Sequence, residues 1–264
     1  MWRLLLLTYL CMFALGASAA APDATLTSDY AREKRWADEV VPGLLVGDPV
    51  FIKAATGKEF LALHAEAKNP RGAVVIVQGL GMHPDHSIIG VLRTRLTEMG
   101  YATLSIQMPV KDAAARAEAY YPMLFPDALN RITLAGEYLQ KRGYKHIALI
   151  SHNMGSWMSN VYLNQTPDAP YAAWVCTGLT GGFTTRILGM DLPMLSVKIP
   201  ILDVYGENDM PPVLNAAARR KRSIADAPGS GQIMIAGADH FYTGKGDELA
   251  QTIADYLKER WGQP

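Results

Sequence analysis

Between Ile147 and Leu163 one apolar run breaks at a small residue into a second, helix-compatible run, and few chain paths fit that pattern. Ile147-Ala148-Leu149-Ile150 leads to Ser151, then His152-Asn153-Met154-Gly155, then Ser156 to Leu163. A short unbroken apolar run is what a strand covered on both faces looks like. If it passes into a helix with no loop between, the chain must bend sharply, and a residue that tolerates φ > 0 suits such a bend. Asn tolerates that backbone better than most residues other than Gly. Ser151 and Gly155, two positions either side of Asn153, are small enough for strand and helix to close up. A buried strand turning into a helix at Asn153 is therefore expected, and it commits the chain to layered strands and helices.

The flanking chain repeats the alternation. Ala73–Val77 and Ala102–Ile106 read as buried strands, and Ala172–Cys176, Ile201–Tyr205 and Ile233–Ala236 as further ones. Between them, Pro84-Asp85 opens a helix with Ile88, Ile89, Val91, Leu92, Leu96 and Met99 as its apolar positions, stopped by Gly100. Pro126–Arg142 makes another, stopped at Gly143, and Asp247–Trp261 an amphipathic last one. Ahead of these, Ser28-Asp29 caps a short helix through Val41, and Val50–Ala54 and Phe60–Ala65 form a hairpin across Thr56-Gly57-Lys58. The fold class is α/β: a mostly parallel sheet with right-handed crossovers and helices on both faces. The connection from Thr177 to Pro200 leaves room for a minimal cap or none.

Met1–Ala21 is set apart as a leader. Arg3 supplies a basic start, Leu4–Leu15 an apolar stretch too short to span a bilayer comfortably, and Ala17-Ser18-Ala19 an A-x-A cleavage site. The mature chain, 22–264, is then a single exported domain, periplasmic or secreted, with no transmembrane span after cleavage. The full chain's 25 basic and 25 acidic residues balance, so nothing draws it to nucleic acid. Cys11 leaves with the leader, and Cys176, in the apolar run Ala172–Thr177, remains as a small buried hydrophobe with no disulfide partner.

Chemistry in a parallel sheet collects at the carboxyl ends of the strands. Asp209 follows Ile201–Tyr205 through Gly206-Glu207-Asn208, and His240 follows Ile233–Ala236 through Gly237-Ala238-Asp239. With Asn153, the chain order is bend residue, acid, histidine. Together with Gln78-Gly79-Leu80-Gly81, this resembles the α/β-hydrolase superfamily over residues 72–262. In that family the bend is a nucleophile elbow, G-x-S-x-G, and the glycine turn an H-G-x-G oxyanion loop. The resemblance implies an acid–histidine pair in Asp209 and His240 and oxyanion donors in the amides of Leu80 and Met154. It departs at Gln78, where the family has His, and at Asn153, where it has a nucleophile. Residues around Gly81-Met82-His83-Pro84-Asp85, Ser105–Pro109 and Tyr121-Pro122 are similar to an exported bacterial branch named only as a domain of unknown function.

A carboxamide has no O–H or S–H to activate. The expectation is a catalytically impaired, ligand-binding protein; the alternative is an active ester or acyl hydrolase using a displaced serine, Ser156 being nearest, or a water activated by His240. Deamidation of Asn153 to a carboxylate is a third route. Each residue also has a plainer reading. Asp209 can cap the turn before Pro211-Pro212, and His240 can be a loop histidine. Glu207 or Asp239 can stand in for Asp209, and Asn153 can simply satisfy its turn. His83, Asp85 and His86 match no metal-ligand spacing, and rimming a cleft suits them better. Arg219-Arg220-Lys221-Arg222 reads as a solvated helix face. No cofactor is expected, since the turn at 79–81 lacks G-x-G-x-x-G spacing. The partner implied is a small-molecule ligand or ester substrate, and oligomeric state is left open.

Overall fold

The computed structural model describes residues 28–115, 120, 123–181, 194 and 197–262. The leader, the tip of the 110–125 loop and most of the 178–198 connection, with its expected minimal cap or none, lie outside them. The strands are β1 (Asp48–Lys53), β2 (Glu59–Ala65), β3 (Gly72–Val77), β4 (Tyr101–Ile106), β5 (Ile147–His152), β6 (Ala173–Thr177), β7 (Ile201–Asn208) and β8 (Gly231–Asp239). The helices are α1 (Tyr30–Val40), α2 (Ile88–Glu98), α3 (Phe125–Lys141), α4 (Met154–Gln165), α5 (Pro211–Ser223) and α6 (Gly246–Trp261).

All eight strands form one sheet in the order β1-β2-β4-β3-β5-β6-β7-β8. β1 and β2 pair antiparallel and β2 runs antiparallel to β4, while every pair from β4 to β8 is parallel. β3 is the pivot: the chain leaves it to one side for β4 and returns on the other for β5. Open α/β sheets bind ligands beyond the carboxyl ends of their strands at such a reversal.

Alternation along the central strands sorts side chains to two cores. Ala73, Val75, Val77 and Leu149 face α3 and α4, packing with Ala128, Ile132, Trp157 and Met158. Val74, Ile76 and Ile150 face the opposite way onto Ile89, Leu92 and Leu96 of α2 and Leu249, Ile253 and Leu257 of α6. Every residue of β3, β4, β5 and β6 is buried, which explains their unbroken apolar runs. α1 lies over Leu61 and Leu63 of β2. It is pinned by buried charge, with Arg131 of α3 reaching Glu33 at 2.9 Å and Asp127 at 2.8 Å. Burial raises the Glu33 carboxyl above its usual range against the pull of Arg131.

Two expectations need correcting. α2 begins at Ile88 rather than at Pro84-Asp85, because Asp85 turns back onto Arg93 instead of capping forward. Its backbone N–H donates to His83 Nδ1, which makes 83–87 a turn closed by Ser87 at φ 49°. The basic run on α5 is not wholly solvated either. Arg220 is buried and pairs with the fully buried Asp203 at 2.8 Å, while Gln232 donates to the same carboxylate. Four consecutive helical residues cover every direction around the axis, so one of them had to face the sheet.

Candidate functional site at the carboxyl edge of the sheet

Asn153 follows the last residue of β5 and caps α4, with φ 53° and ψ −118°. This is the sharp bend expected from the sequence. The bend depends on Gly155. A Cβ there would lie 2.5 Å from the carbonyl oxygen of Gln78 and 2.6 Å from that of Val77, so α4 rests directly on the end of β3. On the far side, the Asn153 N–H donates to the Thr177 carbonyl at 3.0 Å and ties the bend to β6.

Register explains how the acid and the histidine meet. β7 and β8 extend further than the sequence suggested, to Asn208 and Asp239, and these two residues pair. Asp209 and His240 each follow directly, so they emerge side by side from neighbouring strands. His240 Nδ1 and Asp209 Oδ1 lie 2.6 Å apart, both residues nearly fully buried. Asp209 also accepts from the Met210 N–H at 2.7 Å, so turn capping and the histidine contact are one arrangement. Glu207 instead accepts from the Gly237 N–H, and Asp239 from the N–H groups of Phe241 and Thr243. Asp239 is held below the usual carboxylate range chiefly by its bond from Thr243.

The other imidazole nitrogen faces Asn153. His240 Nε2 lies 2.6 Å from Asn153 Nδ2, and Asn153 Oδ1 accepts from the backbone N–H of Met154. An amide nitrogen can only donate, so Nε2 is the acceptor and Nδ1 carries the proton toward Asp209. The structure thus brings Asn153, Asp209, His240 and the Met154 amide into one chain of contacts. Leu80 sits in the adjacent turn, half-buried against the α3–α4 core. Gly79 of that turn is so near that a Cβ would stand 3.1 Å from Asn153 Cβ. Gln78 holds the turn closed, donating to the Met82 carbonyl at 3.0 Å, with Gln107 donating to the same oxygen at 3.2 Å.

The serines beside the bend are otherwise engaged. Ser156 is fully buried, its hydroxyl 3.0 Å from the Ser151 carbonyl and 3.2 Å from that of Thr177. Ser151 is buried too, and its hydroxyl accepts from the Trp174 indole N–H at 2.8 Å. Cys176 is buried beneath the sheet edge, and burial pushes its thiol well up. Among the described residues no helix is long and apolar enough to cross a membrane.

Two neighbours of the site escaped the sequence reading. His152 is wholly buried beside His240, ring centroids 5.0 Å apart, with Nδ1 2.9 Å from the Thr177 hydroxyl. Burial, and then the neighbouring His240, push its pKa down to about 3, so it stays neutral. Gly178, just past β6, has φ 59°, and a Cβ there would lie 2.8 Å from His240 Cε1. Any side chain would drive the imidazole off Asn153. Neither position carries a local pattern; only the pairing of β6 between β5 and β7 brings them under His240.

The comparisons with known proteins agree with this architecture. Residues 3–123 match the model of a family described as a protein of unknown function, DUF3530. No curated protein matches the sequence. Among solved structures, the chain is similar to Est1E from Butyrivibrio proteoclasticus at 15% identity, covering 81% of this chain and 99% of that one with a TM-score of 0.66. The same protein with ferulic acid bound superposes with a TM-score of 0.67. A serine hydrolase without a lid from Xanthomonas campestris is 11% identical, covering 84% and 98% with a TM-score of 0.66. The dienelactone hydrolase of Anabaena variabilis is 17% identical, covering 80% and 97% with a TM-score of 0.64. The chain has the α/β-hydrolase fold.

Proposed function

We propose that this is an exported α/β-hydrolase-fold protein in which Asn153 stands at the nucleophile position, so that it binds a small molecule at the sheet edge without transferring an acyl group. The observation that carries the reading is the double engagement of the Asn153 carboxamide. Its nitrogen occupies His240 Nε2, the atom that would take a proton from a nucleophile, and its oxygen occupies the Met154 N–H. A carboxamide adds no nucleophile of its own. Asp209 orients His240, and the Leu80 amide is the donor that would meet a ligand oxygen, the Met154 N–H being taken by Asn153 Oδ1. Ferulic acid bound to Est1E makes phenolic acids and their esters the first ligands to try.

The intact Asp209–His240 pair favours a second reading, hydrolysis by water activated at His240. Turnover of short-chain p-nitrophenyl esters separates the two. The first reading expects inert wild-type protein and, in Asn153→Ser, a gain of at least about 100-fold over background. Wild-type turnover abolished by His240→Ala would replace it with the second. Export is tested by fractionating cells: the protein should be found outside the cytoplasm, shortened by its leader.

A further inference from the structure

We infer that the folded site converts its own Asn153 side chain from carboxamide to carboxylate, with the Met154 backbone nitrogen as nucleophile and His240 as proton carrier. The inference goes beyond ligand binding, since it concerns what becomes of the carboxamide whether or not a ligand binds. Three observations point to it.

The first is the backbone. A tetrahedral Cα sets Cβ a third of a turn from its own nitrogen around the Cα–C bond. A ψ of −118° therefore brings Cβ almost into eclipse with the Met154 nitrogen. Eclipse at that bond is what a five-membered ring through Met154 N, Asn153 C, Cα, Cβ and Cγ requires. An ordinary helix or strand holds ψ far from this value, but the bend at Asn153 fixes it there. The second is the side chain, whose Oδ1 already contacts the Met154 N–H, so the carboxamide is folded over the attacking atom. Met154 is the first residue of α4, and its N–H is one of those with no partner inside the helix. Attack by this nitrogen breaks no rung of the ladder. The third is the leaving group, since Asn153 Nδ2 lies 2.6 Å from His240 Nε2.

The chemistry balances with water as the one co-reactant. Met154 N bonds to Cγ and passes its proton to His240 Nε2, the unprotonated ring nitrogen. The Cγ–Nδ2 bond then breaks as Nε2 hands that proton to Nδ2, which leaves as ammonia. Water opens the resulting succinimide at Cγ, restoring the Met154 N–H and leaving a carboxylate at position 153. The net change is amide plus water to carboxylate plus ammonium. A carboxylate is a nucleophile where an amide is not.

Peptide mapping by mass spectrometry tests this on the mature full chain, made in a short cell-free synthesis so that it starts as the amide. Protein held folded near pH 7.5 should pass through succinimide to acid at Asn153 at least about 100-fold faster than the same protein in urea, since only the fold sets the geometry. Asn164 and Asn215 on helices serve as clocks within the same chain, and Asn69, whose successor Pro70 has no N–H to attack with, as the unreactive blank. His240→Gln should slow the folded reaction by about 100-fold. An Asn153 amide that persists while Asn164 or Asn215 converts would overturn the inference, as would equal rates in folded and urea-held protein. Either overturning result leaves the ligand-binding reading intact, and that reading is tested separately by ester turnover in Asn153→Ser; conversion would confine it to chains that still carry the amide.

Discussion

Gly155→Ala should destabilise the protein and disturb the site together, because the contact that forbids a side chain there also sets the bend. The added methyl would meet the Gln78 carbonyl oxygen at 2.5 Å, the Val77 carbonyl oxygen at 2.6 Å and Val77 Cγ1 at 2.9 Å. Comfortable contact needs about 3.3 to 3.5 Å, so α4 would have to lift from β3 by roughly 0.8 Å. Two of the three obstacles are backbone atoms of a central strand and cannot rotate away. Overpacking of this kind costs up to about 3 kcal/mol, and the better helix propensity of Ala returns about 1. A net loss near 2 kcal/mol corresponds to a fall in Tm of about 4 to 8 °C for a chain of this size. Gly43→Ala is the control: nothing lies within 4 Å of its Cβ position, and it should be neutral or stabilising by up to about 1 kcal/mol. Thermal melts followed by circular dichroism measure both. In the Asn153→Ser background, Gly155→Ala should also lower ester turnover, because lifting α4 carries residue 153 away from His240. Equal melting of Gly155→Ala and wild type would refute the claim that helix-on-strand contact shapes the site.

Other consequences are as direct. Arg220→Ala strands the buried Asp203 carboxylate and should cost about 3 to 5 kcal/mol in denaturant unfolding, whereas Arg219→Ala should change little. Gly178→Ala should abolish turnover in the Asn153→Ser background while leaving a folded protein, since its Cβ falls on the His240 ring. His152 gives a pH dependence of known sign. From its ordinary value of 6.5 down to about 3, the unfolded chain binds a proton that the folded chain refuses. Acidification through that window therefore lowers stability by up to a few kcal/mol. His152→Gln, which keeps a neutral hydrogen-bonding side chain there, should flatten this part of the unfolding profile; an unchanged slope would show that His152 is not the group responsible.

Much of the architecture is legible in the chain because the central strands are buried on both faces and so write continuous apolar runs between turn residues. The bend at Asn153 reads from a single stretch, since small residues at 151 and 155 and a residue tolerant of φ > 0 are local requirements. Asp209 and His240 could be placed at strand ends, but the choice between Asp209, Glu207 and Asp239 could not be made. It depends on the pairing of Asn208 with Asp239, which is a property of two strands together. Gly178 and His152 were missed for the same reason, as they matter only through the ring that lies across them. The start of α2 was misplaced because Asp85 has two partners open to it, a helix end and a distant guanidinium, and the ion pair with Arg93 wins. Arg220 was hidden inside a run of four like charges, where composition points outward and helix geometry sends one side chain in.

Active-site labelling with a fluorophosphonate probe, read by peptide mass spectrometry, tests most directly whether a carboxamide has displaced the nucleophile. Wild-type protein should remain unlabelled at every serine, and Asn153→Ser should be labelled at residue 153 and lose that label when His240→Ala is added. A serine labelled in the wild-type chain would contradict the account.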